Sequence, residues 1–337
     1  MRMRTLTAVV ATYQRRAPLA RLLAGLEAQL VAEPSLRDGF DVVVVVDGSH
    51  DGTVEMLEAL EFPVPVKTIW QQNHGRAAAR NAGLELADGE IVWFLDDDVI
   101  PLPGLVARHR RAHHDAPSHV TIGPYPFVAG GSPIAPNEVW TETVYDEMAR
   151  GGRVRSADRF ASGNASGPAE LFRSVGGFDE GFTGWGCEDV ELGHRILRAG
   201  YEIHFDPDAR AEHEQTLSLA QYCANNVSNG RNMVRAIRLH PDLIDDLMPV
   251  HTTIASRRRG RAIAAALYRT FPVKAPAVFH LVASTAAHGA GLEQRLTRGR
   301  TQHALYVAMI AGTLAGIAEA DPSGELVARK VGIVRPG

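Results

Sequence analysis

The sequence predicts an α/β protein with a parallel sheet, on three observations. Strand-like and helix-like segments alternate four times before Leu95, which calls for parallel strands joined by right-handed crossovers. The run Asp41 to Val46 (DVVVVV) is β-branched after its first residue, as a strand buried on both faces should be. Glycine, carboxylate and hydroxyl residues cluster directly after the strands, the end at which open α/β sheets bind ligands.

The first strand spans residues 5–11 (TLTAVVA). Its start, MRMRTLTAVVA, imitates a signal peptide, but the apolar run is short and ATYQRRAP follows in place of a cleavage site. Pro18 to Leu30 repeats apolar residues at helical spacing, with Pro18 suited to a first turn. After the second strand, Asp51-Gly52-Thr53 opens a short helix to Leu60; Val66 to Trp70 is the third strand. Residues 75–87 (GRAAARNAGLELA) form the next helix, stopped by Asp88-Gly89. Ile91 to Leu95 is a fourth, buried strand that ends abruptly in Asp96, Asp97 and Asp98. A helix is expected from Pro101 to Ala112. Regular alternation stops in the proline-, glycine- and serine-rich segment 123–137, so the boundary between a nucleotide-type half (1–122) and a second half (123–249) is placed near Ile122. A helix from Val190 to Ala199 and a strand from Tyr201 to Phe205 follow. Beyond Leu217 the pattern is helical, interrupted at Pro241, Pro249, Arg257 to Arg261 and Pro272.

With 337 residues, 45% hydrophobic and 22% charged, the composition is that of a soluble globular protein with a substantial core. Two cysteines, Cys187 and Cys223, exclude a disulfide framework or a cysteine-based zinc site and fit a reducing cytoplasm. The net charge of −4 is uneven: residues 250–337 carry a net +8 and leave −12 on residues 1–249. This basic helical extension suits a homodimer contact, a lid, or peripheral contact with an anionic membrane face; attraction between the two halves explains it equally. The apolar run Ala304 to Ala318 falls short of the ~20 residues a spanning helix needs.

Several chemistries are excluded. No G-x-G-x-x-G follows a strand and no G-x-x-x-x-G-K-[ST] occurs, so dinucleotide and P-loop phosphate cradles are missing. His109 and His113 have zincin spacing but no glutamate between them, and a solvated helix face is expected there. Gly163-Asn-Ala-Ser166-Gly167 is off register for a nucleophile elbow.

Four patches remain, each after a predicted strand. Thr12-Tyr13 ends the first; Tyr13 can stack on a base or belong to the core. Asp47-Gly48-Ser49 ends the second; Asp47 can accept a hydrogen bond from a base or serve the turn. Arg76 and Arg80, one helical turn apart, can face one anionic ligand. Asp96 and Asp98 leave a strand end on one side, where two carboxylates suit Mg²⁺ or Mn²⁺ carried with a substrate's phosphates; the other reading is an acidic loop.

The blocks VVATYQR, VVDGSHDGT, NHGRAAARNAGLELADGE and FLDDDVIP resemble, in order, those of family 2 glycosyltransferases. SGNASGPAELFRSVGGFDEGFTGWGCEDVELGHRILRAGY is similar to the acceptor-side block of galactosyltransferase and chondroitin-polymerase-type enzymes. The resemblance covers about residues 5–240. It implies the GT-A fold, a mixed, mainly parallel sheet flanked by helices, here with a helical C-terminal extension. It also implies inverting transfer of a sugar from a nucleotide diphospho-sugar, UDP-linked by preference, to an acceptor hydroxyl of a glycan or small molecule. By resemblance, Asp47 reads the base, although Val46-Asp47-Gly48 stands where Asp-Asp-Gly is common. Thr12, Tyr13, Arg76, Arg80, Asp96 and Asp97 complete the donor site, and Asp98, Asp96 and His213 hold Mn²⁺ or Mg²⁺. A histidine at 213 is equally an exposed loop residue on its own. Asp189 is the implied base and Glu188 an acceptor ligand beside Trp185-Gly186; both acids also suit a helix N-terminus. The alternatives are a sugar nucleotidyltransferase, which lacks its early glycine-rich loop and lysine here, and a non-catalytic nucleotide-sugar-binding module.

Overall fold

The computed structural model describes residues 4–114, 118–128, 138–214 and 219–247, with 313, 316–317, 319–323 and 326. Two compact units are distinguished: residues 1–130, 137–181 and 188–215 form the first, and 131–136, 182–187 and 216–337 the second.

In the first unit, β1 (Leu6–Thr12), α1 (Arg16–Ala32), β2 (Phe40–Asp47), α2 (Thr53–Glu58), β3 (Val66–Gln71), α3 (Arg76–Leu86) and β4 (Ile91–Asp96) follow the predicted alternation closely. The chain then runs through β5 (Val99–Pro101), α4 (Leu105–Ala112), β6 (His119–Ile122), β7 (Phe127–Val128), α5 (Glu138–Gly151) and β8 (Arg153–Val154). It continues through β9 (Asn164–Pro168), α6 (Ala169–Ser174), α7 (Glu188–Arg198), β10 (Glu202–Phe205) and β11 (Ala211–Glu214). The helix expected from Pro101 starts four residues late, because Val99–Pro101 pairs with β11 instead.

One sheet orders its strands β3-β2-β1-β4-β9-β6-β10-β8, and a smaller one β5-β11-β7. The first four strands of the large sheet are parallel, β9 runs against both β4 and β6, and β8 runs against β10. The register sets Ala11 beside Asp96, Thr12 beside Val46 and Asp47 beside Gln71, so the carboxyl ends of the parallel strands finish flush. The order reverses direction at β1, which has β2 on one side and β4 on the other, the place where open sheets take ligands. The expected halves on either side of Ile122 share this sheet, since β9, β6 and β10 extend it.

Alternation along the strands explains the two cores. Val9, Val43, Val45 and Phe94 face Ala79 and Leu84 of α3, Phe172 of α6 and Leu192 and Ile196 of α7. Ala8, Val10, Val42, Val44, Trp93 and Leu95 face Leu19, Leu22 and Leu26 of α1 and Leu105 and Val106 of α4. The same α4 face buries His109 and His113, which corrects the solvated helix face expected for them. They follow Leu105 and Val106 at helical spacing, and Asn164 and Ser166 on β9 supply their hydrogen bonds.

In the second unit, α8 (Leu219–Leu239) leads through a turn at Pro241–Leu243 to α9 (Ile244–Leu247). Its 182–187 segment is pinned to α8. The Trp185 amide donates to Ser228 Oγ at 2.8 Å, and Asn232 Nδ2 donates to the carbonyls of Thr183 and Gly186 at 3.0 and 2.9 Å. Most of the expected basic extension, with the dimer and membrane contacts assigned to it, lies outside the described residues. Among the described residues no helix is long and apolar enough to cross a membrane.

Candidate active site

The aspartate triplet begins with the last residue of β4, and its three side chains take different partners. Asp98 Oδ1 lies 2.8 Å from Nε2 of His213, which reaches it because β11 pairs with β5 and sets His213 beside Val99. The Glu214 amide donates to the Asp98 carbonyl at 3.0 Å and fixes the same approach. Asp96, Asp98 and His213 each present a ligand atom, all within 4.8 Å of one another. Both ring nitrogens of His213 are buried without a well-formed hydrogen bond, while Phe127 stacks on the ring at 4.5 Å. Two carboxylates and an imidazole, with Nδ1 of the ring left without a partner, fit a divalent cation. Asp97 turns the other way: it accepts from Thr12 Oγ1 at 2.7 Å and from Arg15 Nη1 at 3.1 Å. Thr12 and Asp97 are both buried, and the acceptor of the Thr12 hydroxyl is Asp97 itself.

Burial sets the protonation of this cluster. It raises Asp97 to about 7, helped by the neighbouring Asp98 charge and opposed by Arg15. Burial also disfavours the Asp98 anion, but His213 and Arg15 outweigh it and hold Asp98 well below the usual carboxylate range. Burial pulls His213 down, yet the charge of Asp98 leaves it above the ordinary histidine value.

Arg80 links this cluster to the start of α7. Its Nη2 donates to Asp96 at 2.7 Å, and Nη1 lies 3.2 Å from Glu188 Oε1 and 3.5 Å from Asp189 Oδ1. Its guanidinium also lies over the Phe178 ring, 5.3 Å from the centroid. Expected as a donor ligand, Arg80 instead turns its guanidinium toward three carboxylates and is buried. Helix α7 begins two residues earlier than predicted, so Glu188 and Asp189 sit in its first turn and meet the same nitrogen. Ser162 Oγ donates to Asp189 Oδ1 at 2.5 Å. Burial raises Asp189 to about 6, with the Glu188 charge adding and Arg80 and Ser162 opposing. Arg76, more exposed at 39%, lies 3.4 Å from Glu188.

The ends of β1, β2 and β3 form the other side. Asp47 is buried and accepts three hydrogen bonds: from Gln71 Nε2 at 2.7 Å, and from the His74 and Gly75 amides at 2.9 Å each. It therefore ties β2 to the start of α3, and its capacity toward a ligand is what those three leave over. Gly48 beside it has φ 83°, and a Cβ there would meet the Asn73 amide nitrogen at 2.8 Å. Tyr13 is 50% exposed, which removes the core reading, and Trp70 is 51% exposed. Trp185 and Gly186 belong to the second unit, where Ser228 and Asn232 hold their backbone.

Arg15, Ser162, Trp70 and Tyr125 escaped the sequence reasoning. Arg15 stood in the block VVATYQR with nothing to separate it from Arg16. Burial, with the charges of Tyr145, Asp96 and Asp189 adding, pushes the pKa of the Tyr125 hydroxyl well above its ordinary value, and no pattern in 123–137 marked this residue.

Residues 7–165 match the family model described as Glycosyl transferase family 2, and residues 146–217 that of the N-terminal domain of galactosyltransferase. The validoxylamine A glucosyltransferase of Streptomyces hygroscopicus subsp. jinggangensis (strain 5008) is 34% identical over 272 residues, which cover 72% of this chain and 62% of that protein. The chondroitin synthase of Escherichia coli is 28% identical over 243 residues, 62% of this chain and 34% of the synthase. The chain thus spans well under the full length of these relatives. A mannosyltransferase from Pyrobaculum calidifontis, solved with GDP-Man and Mn²⁺, shares the fold with a TM-score of 0.60 at 20% identity, over 94% of this chain and 88% of its own.

Proposed function

On the premise that residues 7–165 belong to glycosyl transferase family 2, we propose that this protein is a metal-dependent inverting glycosyltransferase. It moves a sugar from a nucleotide diphospho-sugar to an acceptor hydroxyl. The observation that carries the proposal is the meeting of Asp96, Asp98 and His213 at the sheet end, linked through Arg80 to Asp189.

In this reading Asp98, Asp96 and His213 hold the cation, and their mixed oxygen and nitrogen donors favour Mn²⁺ over Mg²⁺. When bound, the ion neutralises charge developing on the leaving diphosphate. Arg76, the more open of the two helix-α3 arginines, adds a cation toward that diphosphate. Tyr13 stacks on the nucleobase, and the remaining capacity of Asp47 Oδ2, which accepts only from Gly75, takes a base imino hydrogen. Uridine is the first choice of base, and guanosine, held by the Pyrobaculum relative, is the comparison.

Asp189 takes the proton of the acceptor hydroxyl as its oxygen bonds to the anomeric carbon and the diphosphate leaves from the opposite face. A carboxylate raised to about 6 is a better base near neutral pH than an ordinary aspartate. Glu188, held by Arg76 and Arg80, orients the acceptor.

The test is hydrolysis and transfer from a panel of UDP- and GDP-sugars with and without Mn²⁺, on wild type and Asp189→Asn. Loss of transfer by about 10²–10⁴-fold, with nucleotide binding kept, is expected of the variant. An equal loss of nucleotide binding would remove Asp189 from the role of base.

A further inference from the structure

Two guanidiniums neutralise the acid cluster, and they are held differently. Arg80 is locked: its side chain is 6% exposed and faces three carboxylates. Arg15 is 36% exposed, and the same Nη1 bonds to Asp97, at 3.1 Å, and to Asp98. It stands in the loop between β1 and α1, directly after Gln14, whose φ is 54°. Asp98 thereby shares one oxygen with Arg15 and the other with His213. Adjacent buried carboxylates cannot both stay ionised without a counter-charge, and Arg15 is the cation that supplies it from the open side.

We propose that Arg15 is the resident cation of Asp97 and Asp98 while no divalent ion is bound, and that metal loading releases its guanidinium to the donor's diphosphate. The proposal rests on the metal-dependent reading above. A divalent ion on Asp98 would stand against a guanidinium bonded to the same carboxylate, so the two cations compete. An arginine long enough to reach Asp98 from the rim of the sheet end can meet an arriving diphosphate there, and guanidinium suits phosphate oxygens in paired contacts. Arg15 thus opposes the free ion and favours the ion together with its nucleotide, which couples metal and donor binding. This makes it a positioning residue that orders the two arrivals.

The experiment titrates Mn²⁺ into the full chain by calorimetry, then UDP and GDP separately at saturating Mn²⁺. The proteins are wild type, Arg15→Gln, Arg15→Lys and Asp98→Asn. Without nucleotide, Arg15→Gln is expected to bind Mn²⁺ about tenfold more tightly, and with Mn²⁺ to bind nucleotide about tenfold more weakly. Arg15→Lys keeps the charge that the fold needs but loses the paired geometry, so both constants should move in the same directions by smaller factors. Unchanged or weaker Mn²⁺ binding in both Arg15 variants, with binding lost in Asp98→Asn, overturns the role of Arg15 and leaves the metal site standing. Tighter Mn²⁺ binding with unchanged nucleotide affinity overturns the release to diphosphate. Wild-type Mn²⁺ affinity in Asp98→Asn sinks the metal reading, and the Arg15 proposal with it.

Discussion

Two buried polar clusters meet the same strand, β9, and they differ in kind. The acid cluster meets its approach at Gly163, the residue just before the strand, whose carbonyl accepts from the Asp96 amide at 3.1 Å. The histidine cluster touches it at Asn164 and Ser166. Burial keeps both histidines neutral, and with neutral rings the hydrogen bonds take one direction. His113 Nε2 donates to Ser166 Oγ, whose hydroxyl donates to His109 Nδ1; His109 Nε2 and Trp93 Nε1 donate to Asn164 Oδ1, and Asn164 Nδ2 to the Ala209 carbonyl. These tautomers are assigned from the network once burial has set both rings neutral. The acid cluster is instead a set of charges: Asp96, Asp98, Glu188 and Asp189 surround Arg80, Arg15 and His213. Burial of histidines therefore does not mark a site. His213 stands out because carboxylates approach it: Asp98 pairs with Nε2, and Asp96 offers a ligand atom within 4.8 Å.

Removing the central charge should break the acid cluster most severely. Arg80→Ala leaves Asp96, Glu188 and Asp189 without their shared cation, and a loss of about 3–5 kcal/mol is expected in urea melts at neutral pH. A loss below about 1 kcal/mol would mean that these carboxylates find water instead, and that the cluster is open rather than buried.

The neutral cluster should respond to acid rather than to charge removal. Burial lowers His109 to about 4, against a partial rise from Asn164, and lowers His113 to about 3, with His119 and His109 adding to the effect. In the unfolded chain both protonate near 6.5, so below that pH the unfolded state binds more protons. The stability they contribute is complete above about pH 6.5 and is lost as pH falls through about 4 and then 3. For His109 the loss is on the order of 3 kcal/mol. Urea melts between pH 7 and pH 4 should show a shallower decline in His109→Gln than in wild type. Equal slopes would assign the acid sensitivity to other groups.

The contrast also explains what the sequence made legible. The parallel half was readable because its strands are β-branched and its helices repeat apolar residues at fixed spacing. Asp96 and Asp98 stood out locally as paired carboxylates at a strand end, while the roles of Asp189 and His213 came only from block resemblance, since no local pattern joins residues so far apart. Strand β9 was not readable: Asn-Ala-Ser-Gly-Pro has low strand propensity, and it pairs on both sides because small residues allow a close approach. With β9 unseen, His109 and His113 lacked their acceptors and were assigned to solvent. Strands β5 and β11 were equally hidden, being three and four residues long, and their pairing is what carries His213 to Asp98. Arg80 was legible as a cation near the site, while its three partners depend on how α7 docks.

The mildest perturbation tests the seam between the clusters. A Cβ at Gly163 would meet Asp96 Oδ2 at 2.6 Å and Tyr125 Cε2 at 2.8 Å, so side chains must yield while the backbone stays. Asp96 is restrained by Arg80 at 2.7 Å, and Asn164, next in the strand, is held by His109, Trp93 and Ala209. Gly163→Ala should therefore cost only about 1–2 kcal/mol of stability, read by thermal unfolding, because one methyl is accommodated by two side chains. Mn²⁺ affinity should fall severalfold in the same protein, since Asp96 is the ligand that gives way. If stability falls and Mn²⁺ binding does not, Asp96 belongs with Arg80 as a structural acid, and the metal is held by Asp98 and His213 without it.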